Sequence, residues 1–172
     1  VSKNQTLAAY QINMLPGGSL TLNDGASVSA NILNFSGANL SVGNGTVKSN
    51  QLTVALDAQL TIIEDGSINV DDMQIEDSDI VIEKTSITIG DIQLLGDSTL
   101  TATGNSILNI TDFDLGAGTL DLTNSRINAD SISVNSGGIK LDQSEIAINE
   151  TINMKDIAAT MNSSVINAEN IE

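Results

Sequence analysis

The segment GSLTLNDGASVSANILNF (residues 18–35) is followed by GANLSVGNGTVKSNQLTV (residues 37–54), and both carry three groups of apolar residues. These groups are Leu20/Leu22, Val28/Ala30 and Leu33/Phe35 in the first segment, and Leu40/Val42, Val47 and Leu52/Val54 in the second. Residues two positions apart lie on the same side of a β-strand. Each segment therefore predicts three short strands that bury one face, separated by turn residues such as Asn23, Asp24 and Gly25.

The first of these pairs recurs about every 20 residues along the chain, a period that is typical of stacked repeat architectures. The series is Leu20/Leu22, Leu40/Val42, Leu60/Ile62, Ile80/Ile82, Leu100/Ala102 and Leu120/Leu122, and Ile139/Leu141 and Ala159/Met161 continue it after a slip of one residue. Two further series, one for each of the other strands, run beside it. In such an architecture each repeat buries its apolar face against its neighbours.

Three interleaved series predict a triangular β-solenoid. We expect an all-β, right-handed parallel β-helix with three short strands in each coil of about 20 residues, and about eight coils. Neighbouring coils would pair in parallel about 4.8 Å apart. We expect residues 1–172 to form a single β-solenoid segment. Because the pattern runs from Leu7 to Ile171 without polar capping coils, we expect a part of a longer rod or a unit whose ends stack on other copies.

Composition and charge exclude several classes of partner. The net charge is −16, from 22 acidic and six basic residues, and there is no histidine and no cysteine. An acidic surface repels nucleic-acid phosphates and anionic membranes, so neither is an expected partner. No apolar run is long enough to span a membrane. Aromatic residues make up only 2% of the chain, which suits a thin layered core of aliphatic side chains.

Acidic residues repeat at one corner of the predicted coil. Asp57, Asp77 and Asp97 are 20 residues apart and all precede the first strand of a coil. In a solenoid they would stack one coil apart, and like charges at that distance are costly unless they are neutralised. Carboxylate oxygens are the ligands that calcium prefers. The spacing therefore identifies a candidate calcium site, beside the plainer interpretation of a solvated acidic face, and no other cofactor is expected.

The sequence does not favour an enzyme. It has no histidine, no tryptophan and a single arginine, Arg126, and no long insertion that would form the wall of a cleft. Carboxylate pairs such as Asp71/Asp72 and Asp112/Asp114 are expected by chance in so acidic a chain. Residues between the inward pairs are mostly small hydroxyls and amides, which can stack as ladders along the rod. They either stabilise the rod or form a regular binding face.

The repeat can be written Gly/Ala-x-Leu-Thr-Leu-x-x-Gly-Ser-Ile-x-Ala-x-x-Leu-x-Val, as in residues 18–35, 37–54 and 118–134. It resembles the repeats of filamentous-haemagglutinin-like exoproteins and autotransporter passenger domains. The resemblance implies an extracellular or cell-surface location and a structural or adhesive β-helical stalk. Its expected partners are glycans or proteins of a host cell or matrix, or other copies of the chain joined end to end. The alternatives are a unit of a self-assembling filament or sheath and a polysaccharide-active β-helix enzyme.

Overall fold

A computed structural model describes Val1 and residues 3–172, and within them the chain forms 17 β-strands and no helix. The long strands are β1 (Thr6–Met14), β3 (Ser27–Ser36), β5 (Thr46–Ala55), β7 (Ser67–Glu76), β9 (Ser86–Leu95), β11 (Ile107–Leu115), β13 (Arg126–Val134), β15 (Glu145–Met154) and β17 (Val165–Ile171). The short strands are β2 (Ser19–Leu22), β4 (Asn39–Gly43), β6 (Gln59–Ile63), β8 (Asp79–Glu83), β10 (Thr99–Thr103), β12 (Thr119–Thr123), β14 (Gly137–Asp142) and β16 (Ile157–Asn162). The described residues include no helix that could cross a membrane.

Long and short strands form two separate parallel sheets. The nine long strands stack in chain order in one sheet and the eight short strands in the other, so that every strand pairs with the equivalent strand of the next coil. The predicted inward pairs meet in register, as in the pairing of Leu40 with Leu60 and of Leu60 with Ile80. The predicted all-β parallel solenoid with about eight coils is therefore confirmed.

The second and third predicted strands of each coil form one continuous hydrogen-bonded strand. In β7, Ile68 and Val70 are buried, Asp71 and Asp72 are both exposed, and Met73 is buried again. Side chains of a straight strand alternate between inside and outside. Two successive outward residues therefore require the strand to bend between them. The bend gives the coil its third face, and it does so without interrupting the backbone ladder.

Aliphatic side chains fill the interior in columns that run along the rod. One such column contains Leu52, Met73, Ile92, Phe113 and Ile132, none of which is more than 3% exposed. Each side chain packs against its equivalents in the coils on either side. Burying a side chain of this size stabilises a fold by about 1.5–3 kcal/mol, so the stacked coils stabilise one another.

Buried hydroxyls join neighbouring coils at the corners. Ser98 is fully buried, donates its hydroxyl hydrogen to the carbonyl of Leu95, and accepts the N–H of Ser78 at 3.4 Å. Ser78 repeats the arrangement, because its hydroxyl donates to Glu76 and accepts the N–H of Ala58 at 3.2 Å. These hydroxyls pair backbone groups that the tight corners leave outside the ladders.

The first and last coils expose residues that the sequence pattern predicts to be buried. Leu7 is 39% exposed, Met161 46% and Ile171 66%, although each lies in the register of an inward column. A solenoid coil is covered only when it has a neighbour on both sides. The alternation of apolar residues therefore predicts correctly which side chains point inward. Whether those side chains are buried depends on whether another coil stacks against them.

Candidate binding surface

A shallow groove runs along the rod on the face that the second halves of the long strands form. Two outward columns line it across five coils. The corner column consists of Gln51, Asp72, Asp91, Asp112 and Ser131, and the strand column consists of Thr53, Gln74, Gln93, Asp114 and Ser133. The inward residue between the two columns leaves only backbone at the surface, so the columns form the sides and the backbone forms the floor. Carboxylates, amides and hydroxyls therefore face one another at the coil spacing of about 4.8 Å.

Three carboxylates follow one another in the middle of the corner column. Asp72 pairs in register with Asp91, and Asp91 pairs with Asp112. Partial desolvation raises the pKa of the Asp91 carboxyl above its usual value of 3.8, and the negative charges of Asp112 and Asp72 raise it further. The groove is therefore most negative at its centre.

The carboxylates at the far end of the groove are held by hydrogen bonds. The Ser131 hydroxyl donates to Asp112. The amides of Gln93 and Asn135 donate to the two oxygens of Asp114, at 3.1 and 3.2 Å. Within the described residues no donor reaches the carboxylates of Asp72 or Asp91. The groove thus has carboxylates that accept hydrogen bonds at one end and carboxylates without a hydrogen-bond donor at its centre.

The predicted calcium ligands lie at a different corner, where the structure brings them together. Asp57, Asp77 and Asp97 occupy equivalent positions in three consecutive coils and line a shallow depression together with Asp79. Asp57 donates its backbone N–H to the carbonyl of Asp77 at 2.9 Å. The Asp97 N–H donates to the Asp77 Oδ1 at 3.1 Å, so this carboxylate caps the turn.

Backbone conformation explains why this corner is so tight. Asp57 and Asp77 have positive φ values of 62° and 47°, a left-handed conformation that aspartate tolerates better than most residues. Gly96 has a φ of 60°, and a Cβ there would collide with the Asp77 carboxylate. The carboxylates are therefore explained in part as turn-forming groups.

Calcium binding at this corner stays a prediction. In the described part of the chain, no group of three or more acidic, histidine or cysteine side chains is arranged to hold a metal ion. If Asp57, Asp77 and Asp97 bind calcium, millimolar calcium will raise the melting temperature of the wild type and leave that of Asp77→Asn unchanged. Equal melting curves with and without calcium would rule the site out.

Sequence reasoning missed the Asp72, Asp91 and Asp112 column. Its spacing of 19 and then 21 residues hides it from a search for a constant period, whereas the corner at Asp57 repeats at 20. Its signal was the position of each aspartate directly before the inward residue that opens the third strand, namely Met73, Ile92 or Phe113.

The fold and these surfaces define the chain as a parallel β-solenoid with polar ladders along its sides. Comparison with protein-family models, with curated proteins and with solved structures finds no match to the chain.

Proposed function

We propose that this chain is a structural and adhesive stalk segment of a secreted or cell-surface protein, of the kind found in filamentous-haemagglutinin-like exoproteins and autotransporter passenger domains. The observation that carries the proposal is the uninterrupted stacking of the coils. Successive strands are joined by only two to four residues, so no long loop or inserted domain interrupts the rod within the described residues. About eight coils at a rise of about 4.8 Å give a length of roughly 40 Å.

The groove is the surface best suited to adhesion. It offers side chains that accept and donate hydrogen bonds, including Gln74, Gln93 and Thr53, at a regular spacing along five coils. A partner with its own repeating polar groups could form the same contact several times, and repeated weak contacts give high avidity. The proposed partners are therefore glycans or proteins of a host cell or matrix.

Binding to arrays of extracellular glycans and matrix proteins tests the adhesive role. The wild-type chain is compared with the double variant Gln74→Ala, Gln93→Ala, which removes two amides from the groove. The matched control is Thr61→Ala, Thr101→Ala, which alters the outward face of β6 and β10. We expect binding that the groove variant loses and the control keeps. Equal binding by all three proteins would show that adhesion does not use the groove. Absence of binding to any array would contradict the adhesive role and leave only the structural one.

A self-assembling filament is the second candidate, and the exposed apolar residues of the first and last coils favour it. Leu7 on β1 and Ile171 on β17 lie at strand edges that have no partner on one side within the described chain. Such edges are templates for pairing with another chain. Negative-stain electron microscopy of the purified chain separates the two functions, because fibres formed end to end support the filament and single rods support the stalk.

A further inference from the structure

The column formed by Asp72, Asp91 and Asp112 has no counterion within its own strands. β9, which carries Asp91, packs in the sheet between β7 and β11. The charged residues of these two strands are Asp71, Asp72 and Glu76 on β7 and Asp112 and Asp114 on β11. Neither strand, nor β9 itself, contains a lysine or an arginine. Every charged group that faces Asp91 from a neighbouring strand is therefore an acid.

The parallel register holds the backbones of these three aspartates in a fixed stack. Asp72, Asp91 and Asp112 are direct Cα partners in consecutive coils, which fixes their backbones about 4.8 Å apart. Like charges directly opposite each other across strands destabilise the pairing. With the backbones fixed, the exposed side chains can reduce this repulsion only by rotating apart, and the repulsion that remains opposes the stacking of β7, β9 and β11.

We propose that Asp72, Asp91 and Asp112 form a pH-responsive column that loosens the central coils when ionised and tightens them when Asp91 is protonated. A protonated Asp91 carboxyl donates a hydrogen bond to the neighbouring carboxylate of Asp72 or Asp112, so repulsion is replaced by a charge-assisted bond of the strong kind. The other contacts of the sheet are unaffected, because the inward column beneath contains only apolar side chains.

The direction of the pH dependence follows from the raised pKa of Asp91. Between the unfolded value near 3.8 and the higher folded value, the folded chain binds more protons at this carboxyl than the unfolded chain does. Stability therefore increases as the pH falls through the folded pKa, and the gain is complete below the unfolded value. Ordinary paired carboxylates have the opposite dependence, because their folded pKa is depressed.

The first test is an NMR titration of the aspartate side-chain carboxyl carbons in the wild-type chain. The Asp91 carboxyl is expected to titrate with a midpoint above 3.8, and the midpoint should fall in Asp72→Asn and in Asp112→Asn. A midpoint at or below 3.8 in the wild type, or one that neither variant moves, would overturn the proposal. This test needs no variant at Asp91 itself.

The second test compares melting temperatures at about pH 7 and at about pH 4, which is close to the usual aspartate value of 3.8. The test variant is Asp91→Asn. The matched control is Asp24→Asn, which removes the same charge from a turn where the neighbouring coils present Asn4 and Asn44. Asp24 has a φ of 53°, which asparagine also tolerates.

Asp91→Asn is expected to melt above the wild type at neutral pH and to gain less on acidification, whereas Asp24→Asn should keep the acid-dependent gain of the wild type. Amide exchange, corrected for intrinsic rates, should show the extra protection at acid pH in β7, β9 and β11. Equal acid-dependent gains in the two variants would contradict the proposal, as would protection spread evenly over all coils.

Discussion

Two neighbouring columns of the same strands show opposite consequences of the parallel register. Met73, Ile92 and Phe113 stack inside the rod, and the residue directly before each of them is an aspartate that stacks outside. The register places equivalent residues against each other in both columns. This stacking stabilises the inner column, because apolar side chains gain free energy from contact with one another. The same stacking destabilises the outer column, because the carboxylates repel one another.

Amide columns form an intermediate case. The Asn50 amide donates to the Asn31 Oδ1 at 2.9 Å, and Asn128 donates to Asn109 at the same distance. An amide has both a donor and an acceptor, whereas an ionised carboxylate only accepts. Repetition in a solenoid is therefore favourable only for side chains that can bind their own kind.

Removal of a side chain from the inner column should have the largest effect. Phe113→Ala leaves a cavity beneath the carboxylate column and should lower the free energy of unfolding by about 3–5 kcal/mol. Chemical denaturation followed by circular dichroism measures the loss. The matched comparison is Asp112→Ala, one residue away and exposed, which should not be destabilising; a comparable loss there would contradict the contrast between the columns.

Loss of a corner hydroxyl should have a smaller effect. Ser98→Ala removes the acceptor for the Ser78 N–H and the donor to Leu95, and should cost about 1–3 kcal/mol, because the buried Ser78 N–H is left without a partner. Alanine fits this corner, since Ala38 and Ala58 occupy equivalent buried positions. A melting temperature equal to that of the wild type would show that the hydroxyl bridges do not contribute.

Conversion of an amide pair into carboxylates should reproduce the acidic column elsewhere. Asn31→Asp combined with Asn50→Asp places two new charges in line with Asp71 and should destabilise the chain by less than about 1 kcal/mol at neutral pH. The loss should become smaller at about pH 4, where the carboxyls are partly protonated. The control is Asn31→Ser with Asn50→Ser, and a loss in the control that matches it at both pH values would show that charge is not the cause.

The smallest effect is expected at the corner where Lys84 lies beside the carboxylates of Glu83 and Glu64. Hydrogen bonding to Glu83, whose carboxylate lies 3.0 Å from the Lys84 Nζ, raises the pKa of Lys84 above 10.5, and the charges of Glu83 and Glu64 add to the shift. The stabilisation is therefore fully present below the unfolded value near 10.5 and is lost as the pH rises through the folded pKa. Lys84→Met should lose less thermal stability than the wild type between about pH 9 and about pH 12. Lys48→Met on β5 is the control and should behave like the wild type.

The inner columns could be predicted from the sequence because burial leaves a direct trace in the alternation of apolar residues. Position 49 was the exception. It is the second inward position of the pair that begins with Val47, and the sequence has no apolar residue there. Ser49 fills it, with its hydroxyl donating to the carbonyls of Gln51 at 2.7 Å and Asn31 at 3.3 Å. A small hydroxyl that satisfies itself on nearby backbone leaves no apolar signal.

The candidate surfaces were only partly predictable. The Asp57, Asp77 and Asp97 corner follows from a constant spacing, and the structure places these residues together. The groove depends on where each long strand bends, and the number of residues at the bend varies. In β15 the bend contains an additional residue, which shifts the register between Ala129 and Ile132 of β13. Outward columns are aligned by such bends, so residue spacing alone does not identify them.

The short connections of the solenoid have a consequence for its durability. Proteases cut segments that can leave the fold and extend, and exposed loop tips are their usual targets. Here the connections contain two to four residues, and both neighbouring strands are hydrogen-bonded. Cleavage must therefore wait for a coil to open, so the lifetime of the rod in the presence of proteases depends on the free energy of coil opening.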